Sequence, residues 1–136
     1  MAKRARVFDS WALMAFLTYE PAADKVEQLI NEAHEADMPL YVSAVNLGEV
    51  WYSLACSRSE ADADRGVEEL RRLRFQFESI DWSLARQAAM FKAKYRIAYA
   101  DCFAAALAKA KKADLVTGDH EFKQLEGEVK IHWLQA

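Results

Sequence analysis

Residues 100–119, ADCFAAALAKAKKADLVTGD, place an alanine-rich helix directly ahead of a short apolar strand. Ala100 to Ala113 predicts the helix, since alanine is the best helix former and its small side chain permits close packing on a sheet. Leu115 and Val116 predict the strand, which stops at Gly118 and then presents the carboxylate of Asp119. A helix leading into a buried strand is the unit of an α/β fold. Asp119 by itself needs no function, because an aspartate there can cap a following short helix. Partners elsewhere in the chain would make it more than a cap.

The same alternation extends outward. Val7 and Phe8 form a short apolar run ending in Asp9, and Trp11 through Leu17 begins a helix. Pro21 suits a first helical turn, and Val26, Leu29, Ile30 and Ala33 follow the spacing of an amphipathic helix that Pro39 closes. Leu40 to Val42 predicts a second strand, after which Ser43 caps a helix running to about Cys56. That helix is apolar nearly all round, so it is expected to be buried. Ser57 with Glu60, or Ser59 with Asp62, offers a capping box for a helix over Ala61 to Arg74. Phe77 to Ile80 predicts a third strand, and Asp81 or Ser83 would cap a helix with Leu84, Ala88, Phe91 and Tyr95 along one stripe. Lys130 to Leu134 predicts the last strand. The expected fold is an α/β, three-layer α/β/α sandwich around a mainly parallel sheet, with residues 1–136 as a single domain.

Composition agrees with a folded protein: 136 residues, 53% hydrophobic and 29% charged, enough to bury a core without disulfides or a structural metal. No apolar run reaches the length of a membrane span, and MAKRARVFDS lacks the features of a secretory signal, so a cytoplasmic location without a membrane is expected. Cys56 and Cys102 are isolated in apolar helical patterns and are expected to be buried free thiols. The net charge of −3 argues weakly against a nucleic-acid partner. That excess disappears once four carboxylates are committed to a metal.

Four acids share one description. Asp9 and Asp119 follow strands, Asp101 opens a helix, and Glu49 sits inside the apolar stretch NLGEVWYSL. In a parallel sheet the strand ends and the helix starts after them open on one edge, where ligands bind. Taken singly, Asp9 and Asp119 can be caps, and Asp101 can simply favour a helix dipole. Glu49 is harder to dismiss, because burying a carboxylate is costly without a cation, a metal or an open cleft. Clustered carboxylates with no histidine or cysteine are hard oxygen ligands, suited to Mg2+ or Mn2+. The chemistry they favour is phosphodiester hydrolysis.

The stretches FDSWALMAFL, SAVNLGEVWY, AYADCFAAALA and LVTGDHEF occur in the order, and with the surroundings, of the four acidic motifs of PIN-domain ribonucleases. The chain resembles in particular the toxins of VapBC toxin–antitoxin pairs, over essentially its whole length. The resemblance implies a metal-dependent endoribonuclease using Mg2+ or Mn2+, with Asp9, Glu49, Asp101 and Asp119 as metal ligands. It also implies that Ser10 and Thr117 support the metal or its waters, that the protein is a homodimer, and that a small antitoxin covers the cleft. Two positions depart from the family pattern. Trp11 stands where a small hydroxyl residue is common, and Ala98 replaces a capping serine or threonine.

Among the basic groups (Lys3, Arg4 and Arg6; Arg71, Arg72 and Arg74; Lys92, Lys94 and Arg96; Lys109, Lys111 and Lys112), most are read as solvated faces. Lys94 and Arg96, just ahead of the Asp101 motif, are the expected contacts to an RNA backbone. His120 is read as a surface residue, and most of Trp11, Trp51, Tyr52, Trp82 and Trp133 as core or interface residues. Three rival readings exist: a PIN-like nuclease for RNA processing or DNA cleavage, a response-regulator receiver, and a non-catalytic metal- or partner-binding domain. The receiver requires an adjacent acidic pair after the first strand, where this chain has Asp9-Ser10-Trp11.

Overall fold

The computed structural model describes residues 4–135, so Lys3 lies outside the described residues. Five strands, β1 (Arg6–Phe8), β2 (Leu40–Ser43), β3 (Phe75–Glu78), β4 (Asp114–Thr117) and β5 (Ile131–Trp133), form one sheet in the order β3-β2-β1-β4-β5. Every pairing is parallel. Six helices connect them: α1 (Ser10–Leu17), α2 (Ala23–Glu35), α3 (Ala44–Ser57), α4 (Glu60–Arg72), α5 (Trp82–Lys94) and α6 (Tyr99–Lys111). A short 3-10 helix, His120–Leu125, follows β4.

Successive strand residues point to opposite faces, and the two cores divide accordingly. Phe8, Leu40, Val42, Phe75 and Val116 pack on one face with α1 to α4. Val7, Leu115 and the alanines of α6 pack on the other with α5. The result is the expected three-layer sandwich with a wholly parallel sheet. Among the described residues no helix is long and apolar enough to cross a membrane.

Local differences from expectation have physical causes. The third strand is Phe75–Glu78, two residues ahead of the predicted run. Arg74 adopts a left-handed conformation (φ 66°) just after α4, turning the chain at once into Phe75. Phe75 then pairs with Leu40 and meets the Phe8 ring edge-on at 5.2 Å. Pro21 lies in the turn before α2 rather than inside it.

The expected burial of α3 holds for one face only. Asn46, Val50 and Leu54 are buried, whereas Ala44, Gly48, Tyr52 and Cys56 form an exposed ridge at four-residue spacing. Cys56 is therefore an exposed thiol, contrary to expectation, while Cys102 is buried in α6. Tyr52 and Trp82 are likewise exposed rather than core. Arg6 is not a solvated cation either. Its guanidinium donates to Leu29 O at 2.6 Å and pairs with Glu32, pinning β1 to α2.

Candidate metal centre

In the strand order, β1 lies between β2 and β4, so the chain leaves β1 toward one side and returns on the other. The carboxyl ends of β1 and β4 flank this switch point, where a parallel sheet opens a crevice. Asp9 follows β1 there and Asp119 follows β4. Helix α6 runs back toward the start of β4, which brings its first turn, with Asp101, to the same edge. Glu49 reaches it from the second turn of α3.

Asp9 is buried, 1% exposed, and caps α1: its Oδ1 accepts from Ala12 N–H at 2.9 Å. Its Oδ2 accepts from the Thr117 hydroxyl at 2.5 Å. Thr117 Oγ1 in turn accepts from Asp119 N–H at 3.0 Å, so one buried hydroxyl joins the ends of β1 and β4. Asp119 caps the 3-10 helix by accepting from Glu121 N–H at 3.0 Å. Ser10, half-buried, is the first residue of α1 beside this set. Ala98 supplies no side-chain cap to α6.

Asp101 is 8% exposed. Oxygens of Asp101, Asp119 and Glu121 lie within 4.8 Å of one another, close enough to share one cation. Asp9 and Glu49 are outside that triplet, yet their charges act on it. Burial, reinforced by the charges of Asp119, Glu49 and Glu121, raises the Asp101 pKa to about 7. Burial also raises that of Asp9 to about 7, with Asp101 and Asp119 adding to it and the bonds from Thr117 and Ala12 opposing.

Among the described residues, none of these five acids forms an ion pair with lysine or arginine. An uncompensated group of carboxylates, with Asp9 and Asp101 buried, is unfavourable until a cation arrives. The donors are all oxygen, which fits Mg2+ or Mn2+. Glu121 was not among the expected ligands. Its one sequence clue was its place two residues beyond Asp119, in the turn that Asp119 caps. Cavities of about 420 and 510 Å³ elsewhere, lined by residues such as Arg86 and Lys109 or Arg4 and Lys130, contain none of these acids.

The rim of the crevice is also held in place. Arg96, in the loop before α6, donates its backbone N–H to Gln124 Oε1 at 3.0 Å, and Gln124 Nε2 donates back to Arg96 O at 2.9 Å. This clamp joins the loop ahead of Asp101 to the 3-10 helix after Asp119. Lys94 and Arg96 are exposed there. His120 is exposed and stacks on Trp133 with centroids 6.2 Å apart. Trp11 lays the edge of its indole against Gly118, directly beside Asp119.

The PIN domain family model matches residues 6–128. No curated protein sequence matches the chain. Among solved structures, a chain of VapBC2 from Rickettsia felis, bound to a DNA fragment from its promoter, superposes with a TM-score of 0.80 at 14% identity, covering 96% of this chain and 99% of that one. A chain of DNA-bound VapBC from Salmonella typhimurium gives 0.78 at 17% identity, covering 95% and 97%. Mycobacterium tuberculosis VapC20, described as a sarcin-ricin loop cleaving toxin, gives 0.70 at 16% identity, covering 88% and 94%.

Proposed function

Since the chain belongs to the PIN-domain family, we propose that it is a metal-dependent endoribonuclease and the toxin of a toxin–antitoxin pair. The observation carrying this reading is the convergence of five acids, unpaired by any cation of the described residues, at the switch point of a parallel sheet. Asp101, Asp119 and Glu121 would hold Mg2+ or Mn2+ most directly, with Asp9 and Glu49 completing the ligand set. When bound, such an ion supplies a water of lowered pKa and positive charge for the oxyanions at phosphorus.

The chain's own groups have separable tasks. Thr117 fixes Asp9 and the backbone of Asp119, and Ser10 offers a hydroxyl to water in the site. Lys94 and Arg96 meet the RNA backbone along the clamped rim. His120, exposed and stacked on Trp133, is read as a surface residue. The structural neighbours in VapBC complexes support a small protein antitoxin as partner, and a homodimer in the cytoplasm completes the reading.

The test is cleavage of a mixed RNA, including a sarcin–ricin loop, with Mg2+ and with EDTA, by the native protein and by Asp9→Asn and Asp101→Asn purified identically. Metal-dependent cutting is expected from the native protein and absent from both variants. Cutting that survives in both would assign the activity to a contaminant, and preferential cutting of DNA would replace the RNA reading.

A further inference from the structure

Asn46 is fully buried, 0% exposed, in the first turn of α3. Helix capping uses only its backbone N–H, which donates to the Ser43 hydroxyl at 3.1 Å. Its carboxamide is free of that task and points at the acids. Nδ2 donates to Glu49 Oε1 at 3.1 Å and to Ala100 O at 3.1 Å, while Oδ1 accepts from the Ser43 hydroxyl at 2.6 Å.

Ala100 immediately precedes Asp101, so one planar amide spans the two elements that deliver Glu49 and Asp101. Asn46 and Glu49 are three residues apart, the spacing at which helical side chains meet. Asparagine suits this position because a single nitrogen carries two donors and its oxygen an acceptor, all three used here. A leucine, branched in the same way but bulkier, would occupy the space and make none of the three bonds.

We propose that Asn46 is a positioning residue of the metal site, acting through Glu49 and the first turn of α6; this rests on the metal-dependent reading above. With Oε1 held by Nδ2, Glu49 is limited to few rotamers and keeps Oε2 for the cation or its water. The bond to Ala100 O sets the separation between Glu49 and the turn carrying Asp101. Preorganisation of this kind lowers the ordering cost of binding.

The experiment is a double-mutant cycle on the free protein, without RNA: Mn2+ affinity by electron paramagnetic resonance for native, Asn46→Leu, Glu49→Gln and the double variant. Asn46→Leu is expected to weaken Mn2+ binding about ten-fold, as loss of a group orienting a metal ligand does. Glu49→Gln is expected to lose a similar factor, and the double variant no more than the larger single loss, because both act through one ligand. Losses that multiply, or native affinity in Asn46→Leu, would overturn the proposal while leaving the metal site standing. Failure of the native protein to bind Mn2+ would overturn both. If Asn46→Leu does not melt cooperatively, the readout becomes the Asn46 side-chain amide resonance in the native protein. It should move on Mg2+ addition and stay fixed in Glu49→Gln; no movement in the native protein counts against the proposal.

Discussion

Gly118 shows how a residue legible in the sequence can hide its reason. Read alone it stops a strand, the usual work of glycine. Its φ is not positive, so its conformation does not require glycine. The need is for space: a Cβ there would fall 2.3 Å from a carbon of the Trp11 indole. Gly118→Ala should therefore destabilise the protein by about 1–3 kcal/mol, the range for overpacking, and displace Asp119. Urea unfolding measures the first effect. Adding Trp11→Leu should recover most of the loss, whereas no recovery would assign the damage elsewhere. Thr117 was legible beside Asp119 as a hydroxyl, but its bond to Asp9 was not, because the two residues meet only when β1 and β4 pair. Thr117→Val removes a bond that holds the Asp9 pKa down, so metal binding in that variant should require a higher pH than in the native protein. Mn2+ affinity against pH reads it, and an unshifted profile would remove Thr117 from the site.

Elements were legible wherever hydrophobic period and a cap agreed. Two caps were left open in the sequence, and the hydrogen bonds to the helix N-termini decide between them. Ser59 takes α4 by accepting from Asp62 N–H at 3.0 Å, and Asp81 takes α5 by accepting from Leu84 N–H at 2.9 Å. Asp81→Ala should accordingly cost about 1 kcal/mol of unfolding free energy. Ser83→Ala, on an exposed residue with no capping role, should change it by less than about 0.5 kcal/mol. Equal effects in denaturant melts would contradict the assignment. Where the sequence misled, period and environment diverged. The run Phe77 to Ile80 looks like a strand, but the left-handed turn at Arg74 starts pairing at Phe75 instead. In α3 the near-continuous apolar pattern hid a one-sided helix whose Ala44, Gly48, Tyr52 and Cys56 ridge faces solvent.

At the scale of the molecule, the order of strands and helices followed from their alternation, while the site depended on topology that no single segment encodes. Convergence of Asp9, Glu49, Asp101 and Asp119 could be inferred from the common edge; Glu121 and Asn46 could not, since Glu121 reads as an ordinary charge in a short exposed turn and Asn46 meets Ala100 only once α3 and α6 pack. Gathering these acids has a consequence for the whole fold. Asp9 and Asp101 have pKa values of about 7 against 3.8 for the free side chain. Between those values the metal-free folded protein holds protons that the unfolded chain has released. Each such group lowers stability by up to about 1.4 kcal/mol per pH unit as pH rises through that interval. Glu32, Asp62 and Glu128 shift the other way, but their effect is complete by the ordinary values of 4.5 and 3.8, below pH 5.5. His132 opposes the trend, because burial lowers its pKa and stability is lost as pH falls through the ordinary histidine range. Two carboxylates with large shifts outweigh one imidazole. The metal-free protein should thus melt at a lower temperature at pH 8 than at pH 5.5. Mn2+ should narrow the gap by binding the ionised acids and releasing their protons. Asp9→Asn should narrow it without metal, having removed one of the groups responsible. A metal-free protein equally stable at both pH values, or more stable at pH 8, would mean that the acids are neither buried nor crowded as this geometry requires.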